Sequence, residues 1–262
     1  TYIDPRFQPA GFARLRGNTA REYESAVYQN ADLLTHAIPI HERWARIKYT
    51  HARPKIRLLT MGCPPELCEG KVDPDRAAGS RFSVRVVGYI PDEEILTLAL
   101  AIRKLADIGI DIELRLIGRI PTTHDRLRLI LAERVIATGF LPHNEAIRQI
   151  AGGDLLVSYL SKERSTHLGL SSKLYEFIAA NRPFIEINPT RSDRLFMRSI
   201  PGAIAIADPT IDELASQVLS VINAQKPLIQ PDTVDRIRRE YNWRTHAQRL
   251  ASWLDELLAN RS

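Results

Sequence analysis

Lys173 and Glu176 lie three residues apart in the stretch from Leu168 to Pro183, LGLSSKLYEFIAANRP, where a glycine turn leads into an amphipathic segment that a proline ends. Helical spacing puts Leu170, Leu174, Phe177 and Ile178 on one face, and Ser172, Lys173 and Glu176 on the other, near the helix start. The start of a helix offers orphan backbone N–H groups and the positive end of the dipole. Gly169, Ser171, Ser172 and Lys173 therefore form a setting for a diphosphate. One turn further in, Glu176 is a carboxylate able to accept hydrogen bonds from two vicinal ribose hydroxyls. The same two charges also read as an ordinary surface pair, worth about 0.2–0.5 kcal/mol.

The surrounding elements must place this stretch. Apolar runs ending at glycine predict strands at Phe82–Val87, Asp111–Ile117 and Val135–Thr138, and further strands at Leu155–Tyr159, Phe184–Ile187 and Ala203–Ala207. Helical periodicity fills the intervals: Asp92–Ile108, Thr123–Glu133, Asn144–Ala151, a short helix around Arg194–Arg198, and Ile211–Asn223. Strands alternating with helices predict an α/β fold, a Rossmann-like, mostly parallel sheet with helices on both faces. Gly88, Gly118, Gly139 and the loop from Leu160 to Ser172 all follow strands, so they converge on the carboxyl edge where such sheets bind ligands.

At that edge Phe140, Leu141 and Pro142 offer an apolar slot for a base. Arg119, beside Gly118, reads either as facing phosphates or as a solvated surface arginine. GYIPDEE follows the first strand in place of GxGxxG, which argues against a dinucleotide-dependent dehydrogenase.

Ahead of this region, Asn18–Asn30 and Pro39–Tyr49 read as helices and Lys55–Met61 as a buried-type strand, a partial N-terminal α/β segment. The expected division is residues 1–62, the remnant of an N-terminal domain that starts upstream of Thr1; 63–80, a linker rich in prolines, acids and glycines; and 81–262. Thr233–Ala259 reads as two helices broken near Asn242, with an apolar stripe of Trp243, Leu250, Trp253, Leu254 and Leu257.

The 262 residues are 44% hydrophobic and 26% charged, enough for one large α/β domain or one domain plus part of another. No apolar run approaches the roughly 20 residues of a membrane span, and the expected location is cytoplasmic. The net charge is +5, but the arginines are dense only from Arg236 to Arg249 and no RNP-like or zinc-finger pattern exists. Nucleic acid is thereby disfavoured, whereas peripheral contact with the inner face of an anionic membrane suits a basic helical surface. Cys63 and Cys68 lack clustered partners for a metal and read as free thiols.

GFLPHNEAIRQIAGGDLLVSYL, then SSKLYEFIAANRPFI, then YNWRTHAQRLASWLDEL resembles, in that order, the C-terminal donor-binding domain of GT-B glycosyltransferases, particularly retaining family 4. PKIRLLTMG looks like the strand that ends the N-terminal domain in that family.

The resemblance implies a hexosyltransferase-type enzyme that moves a sugar from a nucleotide-diphosphate donor to an acceptor held by an N-terminal domain across a cleft. It places Glu176 on the donor ribose, Ser171, Ser172 and Lys173 at the diphosphate, and Leu141 and Pro142 at the base. It implies electrostatic support of the departing diphosphate, no metal or other cofactor, and no protein nucleophile, so no catalytic residue is assigned. The chain as given is expected to have little activity by itself.

This sequence departs from the family pattern at three places: Leu168 where a second acid precedes the glutamate by eight residues, Ser171 where a glycine precedes it by five, and Asp92–Glu94 where a basic pair follows the first strand. Glu163 is a stand-in for the acid, and Lys173 or Arg119 for the cations. Two alternative functions accompany this reading: a degenerate domain serving as scaffold or partner subunit, and a GT-B nucleotide-sugar epimerase.

Overall fold

The computed structural model describes residues 12–72, 74, 81–160, 170–224 and 229–260. The chain divides into two compact units, 1–61 with 250–262, and 62–249.

In the first unit, α1 (Phe12–Asn30), β1 (Leu34–His36), α2 (Pro39–Lys48) and β2 (Ile56–Leu58) follow in order, with a 3-10 turn over Thr50–Lys55 between α2 and β2. The two strands pair in parallel, Leu34 opposite Ile56. Tyr28, Ala45, Tyr49, Ala52 and Ile56 form a small core in which the Tyr28 and Tyr49 rings stack at 3.8 Å. The strand expected over Lys55–Met61 is shorter at both ends, because Pro54 and the preceding turn occupy its approach.

The second unit opens with a short helix, α3 (Pro65–Cys68), in the stretch that reads as linker. The start of this stretch is docked: Leu67 is buried, and the backbone of Cys63 exchanges hydrogen bonds with Tyr241 and Trp243. Cys63 and Cys68 form a disulfide, which corrects the expectation of free thiols. The turn into α3 brings the two side chains together, a juxtaposition that residue spacing alone does not reveal.

Six strands then form the main sheet: β3 (Phe82–Gly88), β4 (Ile112–Gly118), β5 (Val135–Gly139), β6 (Leu155–Tyr159), β7 (Phe184–Ile187) and β8 (Ala203–Ile206). Their order is β5-β4-β3-β6-β7-β8, every neighbouring pair parallel. The Rossmann-like sheet expected from the sequence is present. Crossovers run outward in opposite directions from β3 and from β6, so these two strands flank the topological switch point where open α/β sheets hold their ligands.

Period-2 alternation gives each sheet face its own character. Val84, Val86, Leu114, Leu116, Leu155, Val157, Ile185 and Ile187 join a core with α4 (Glu94–Asp107), α5 (His124–Leu131) and α9 (Ile211–Asn223). In α4, Ile95, Leu98, Ile102 and Leu105 supply the buried stripe that helical spacing predicts. The opposite face carries α6 (His143–Gly152) and α7 (Ser172–Ala179) and is partly polar. There the buried Arg85 donates to Ser83 Oγ at 3.1 Å and to the carbonyl and side chain of Gln149 in α6, while Ser83 Oγ donates to Glu113. A buried cation surrounded by acceptors in this way locks α6 to the sheet.

Three helices complete the unit's order: α8 (Arg191–Met197), α10 (Pro231–Glu240) and α11 (Trp243–Ala259), the unit boundary falling within α11. The covered face of α11 is shifted from the expected stripe. His246, Leu250, Trp253 and Leu257 line it, whereas Trp243 and Leu254 are exposed. Residues four and three apart continue one face of a helix, and His246, although polar, occupies the position that the stripe requires.

Candidate functional site

Three glycines end β3, β4 and β5 in left-handed backbone, with φ of 89° at Gly88, 135° at Gly118 and 70° at Gly139. At two of them the lack of a side chain is used. A Cβ on Gly118 would stand 2.5 Å from the Gly88 carbonyl oxygen, so the two turns touch backbone to backbone. A Cβ on Gly88 would meet the Lys173 side chain, its Nζ at 2.8 Å. The Lys173 ammonium therefore lies directly over the end of β3, at the switch point. No ion pair engages it among the described residues.

Lys173 reaches that position from the first turn of α7, whose start is fixed by a second helix. Asp193, fully buried in α8, accepts from the Ser171 N–H at 2.8 Å through one oxygen and from the Thr190 N–H at 3.0 Å through the other. Thr190 returns a bond to the Asp193 N–H, closing a capping box. Ser171 thus stands at the N-cap position of α7 with its N–H already committed. The N–H groups of Ser172 and Lys173 have no intrahelical acceptor by position and none among the described residues. Two open donors, the helix dipole and an ammonium converge there, which is an anion-binding arrangement.

Glu176 is half-buried one turn along α7, and burial raises its carboxyl above the usual range, opposed by electrostatic interaction with Lys173 and, less, with His143. His143 is the first residue of α6, directly after Leu141 and Pro142, with Pro142 as the N-cap. The expected base slot and the expected ribose acid thereby share one neighbourhood. Phe140 is 84% exposed beside it, an apolar ring open to solvent.

The expected residues are not all equivalent. Gly88, Gly118, Ser171, Ser172, Lys173 and Glu176, with the turn of Leu141 and Pro142, gather on the carboxyl edge. Arg119 is on that edge too, but its guanidinium pairs with Asp92 at 3.0 Å. Asp92 also accepts from the Thr122 N–H, which holds its carboxyl below the usual range, and Glu93 pairs with Arg126. Asp92 and Glu93, two of the three acids after β3, are thus matched by arginines of the next crossover. Gly169, Leu168 and Glu163 lie outside the described residues.

Sequence reasoning missed Asp193 and Glu186. Asp193 was legible in T-R-S-D, Thr190 to Asp193, a capping-box spacing. Glu186 was legible as a lone acid in FIEI, a strand otherwise apolar. It is fully buried, hydrogen-bonded by Ser158 Oγ through one oxygen, while its Oε1 has no partner among the described residues. Among the described residues no cluster of three or more His, Cys, Asp or Glu is arranged to hold a metal, and no helix is long and apolar enough to cross a membrane.

This is the α/β fold of GT-B glycosyltransferases, and the solved structures it resembles are of that class. A glycosyltransferase from Rickettsia africae matches with a TM-score of 0.62 at 13% identity, over 93% of this chain and 68% of that one. Sucrose-phosphate synthase from Thermosynechococcus elongatus matches at 0.63 and 16%, over 97% and 65%. Anabaena HepE, solved with UDP and glucose, matches at 0.61 and 15%, over 91% and 67%. The chain spans about two thirds of the length of each. No protein-family model and no curated protein matches the sequence.

Proposed function

We propose that the unit from Gly62 to Arg249 binds the nucleotide-diphosphate sugar of a glycosyl transfer, in the manner of the retaining family 4 enzymes that its motifs resemble. The observation that carries this reading is the Lys173 ammonium lying over left-handed Gly88 at the switch point, with Glu176 one turn further along the same helix. In this reading the diphosphate meets the open N–H groups of Ser172 and Lys173, Glu176 accepts from the ribose hydroxyls, and the base lies against Phe140, Leu141 and Pro142.

Catalysis is then charge stabilisation. As the sugar departs, negative charge grows on the diphosphate, and a preorganised ammonium and helix terminus stabilise that charge more than they stabilise the ground state. Because Lys173 supplies the counter-charge, the site works without a metal. The acceptor is held by residues outside this unit, and the unit alone binds donor without transferring it.

Calorimetric titration with UDP, GDP and ADP tests the assignment. One of them binds, and Glu176→Ala weakens it about 10- to 100-fold, the range for losing hydrogen bonds to a charged group. Absence of binding by all three, or a Glu176→Ala protein that binds like the parent, defeats the reading. The scaffold alternative predicts that absence.

A further inference from the structure

Glu186 is a fully buried charged group in the second unit that the donor site described above does not use. It stands in β7 with Ser158 of β6 opposite it in register, and on the other side its register partner is Ala205 of β8, which is uncharged. One oxygen takes the Ser158 hydroxyl and the other has no partner among the described residues, inside a fully buried side chain.

Two further charged groups act on it. Asp193 of α8 repels a negative charge at this position, and Lys173 of α7 attracts one. Gly88, where the ammonium lies, is separated from β7 by β6 alone, two strand spacings or about 10 Å across the sheet. Burial dominates these effects and pushes the Glu186 carboxyl up to about 7. Its charge is therefore poised at neutral pH, and Lys173 is a cation that acts on it.

The geometry points to Glu186 as a proton acceptor of the anion site, taking up a proton when the diphosphate of a nucleotide sugar settles on Lys173. This rests on the donor-binding reading given above. A diphosphate engages the cation that favours the ionised carboxyl and adds negative charge near it, and both effects favour the neutral acid. The bound proton removes a like charge, so binding and protonation assist each other. Ser158 sets the poise, since its hydrogen bond favours the carboxylate.

The experiment is calorimetric titration of the whole chain with UDP-glucose, GDP-mannose and ADP-glucose in buffers of different ionisation enthalpy. These diphosphate diesters carry no phosphate proton that titrates near neutrality, so a proton taken up belongs to the protein. The expected result for the sugar nucleotide that binds is uptake of about half a proton at pH 7.5. Uptake vanishes in Glu186→Gln, while Ser158→Ala moves its maximum to higher pH. Binding without proton uptake, or uptake unchanged in Glu186→Gln, overturns the role of Glu186 and leaves the donor site standing. Failure of all three to bind overturns both.

Discussion

At the scale of single residues, two carboxyls set opposite pH limits on the same site. Glu176 accepts from two hydroxyls more strongly when it is ionised, and its raised range means that affinity falls as pH drops. Glu186 acts in the other direction. Its folded value, about 7, lies above its ordinary one, so its contribution to stability is present below pH 4.5 and is lost as pH rises toward 7. Glu186→Gln lacks that loss. The variant should melt at nearly the parent's temperature at pH 5 and several degrees above it at pH 8, with thermal unfolding across that range as the check. An equal difference at both pH values means that Glu186 does not titrate in the folded protein.

At the scale of elements, the turns after β3 and β4 decide whether α7 can present Lys173. Gly118→Ala combines left-handed backbone with a contact to the Gly88 carbonyl, which cannot move without moving β3. Gly88→Ala carries the same backbone penalty, but its contact is the end of a flexible lysine. Both variants should lose about 1–2 kcal/mol to strain, with Gly118→Ala losing more. Gly88→Ala should keep more of its stability and lose nucleotide affinity through a displaced ammonium. Denaturant melts alongside titrations check this ordering.

The elements themselves were largely legible. Strands ending in glycine and the stripe of α4 follow from periodicity, because each is long enough to show its repeat. What failed to show was short or polar: β1 has three residues, α3 has four, and both are held by contacts distant in sequence. The covered face of α11 was misread because His246 takes an apolar position. Glu176 and Lys173 were visible as a motif, but the overlay of Lys173 on Gly88 links residues 85 apart and needs the sheet order. The same is true of the Arg119–Asp92 pair, which turns a conspicuous cation away from a simple phosphate role.

At the scale of the molecule, an all-parallel sheet with its switch point between β3 and β6 gives the second unit one natural ligand edge. The account's central claim is that an anion settles on that edge at the start of α7. Backbone amide NMR of the chain titrated with a binding nucleotide tests it most directly. The account predicts the largest shift changes at Gly88, Ser172, Lys173 and Glu176. Changes confined to another surface, such as the groove of His124, Arg128 and Glu133 beside β5, would contradict it.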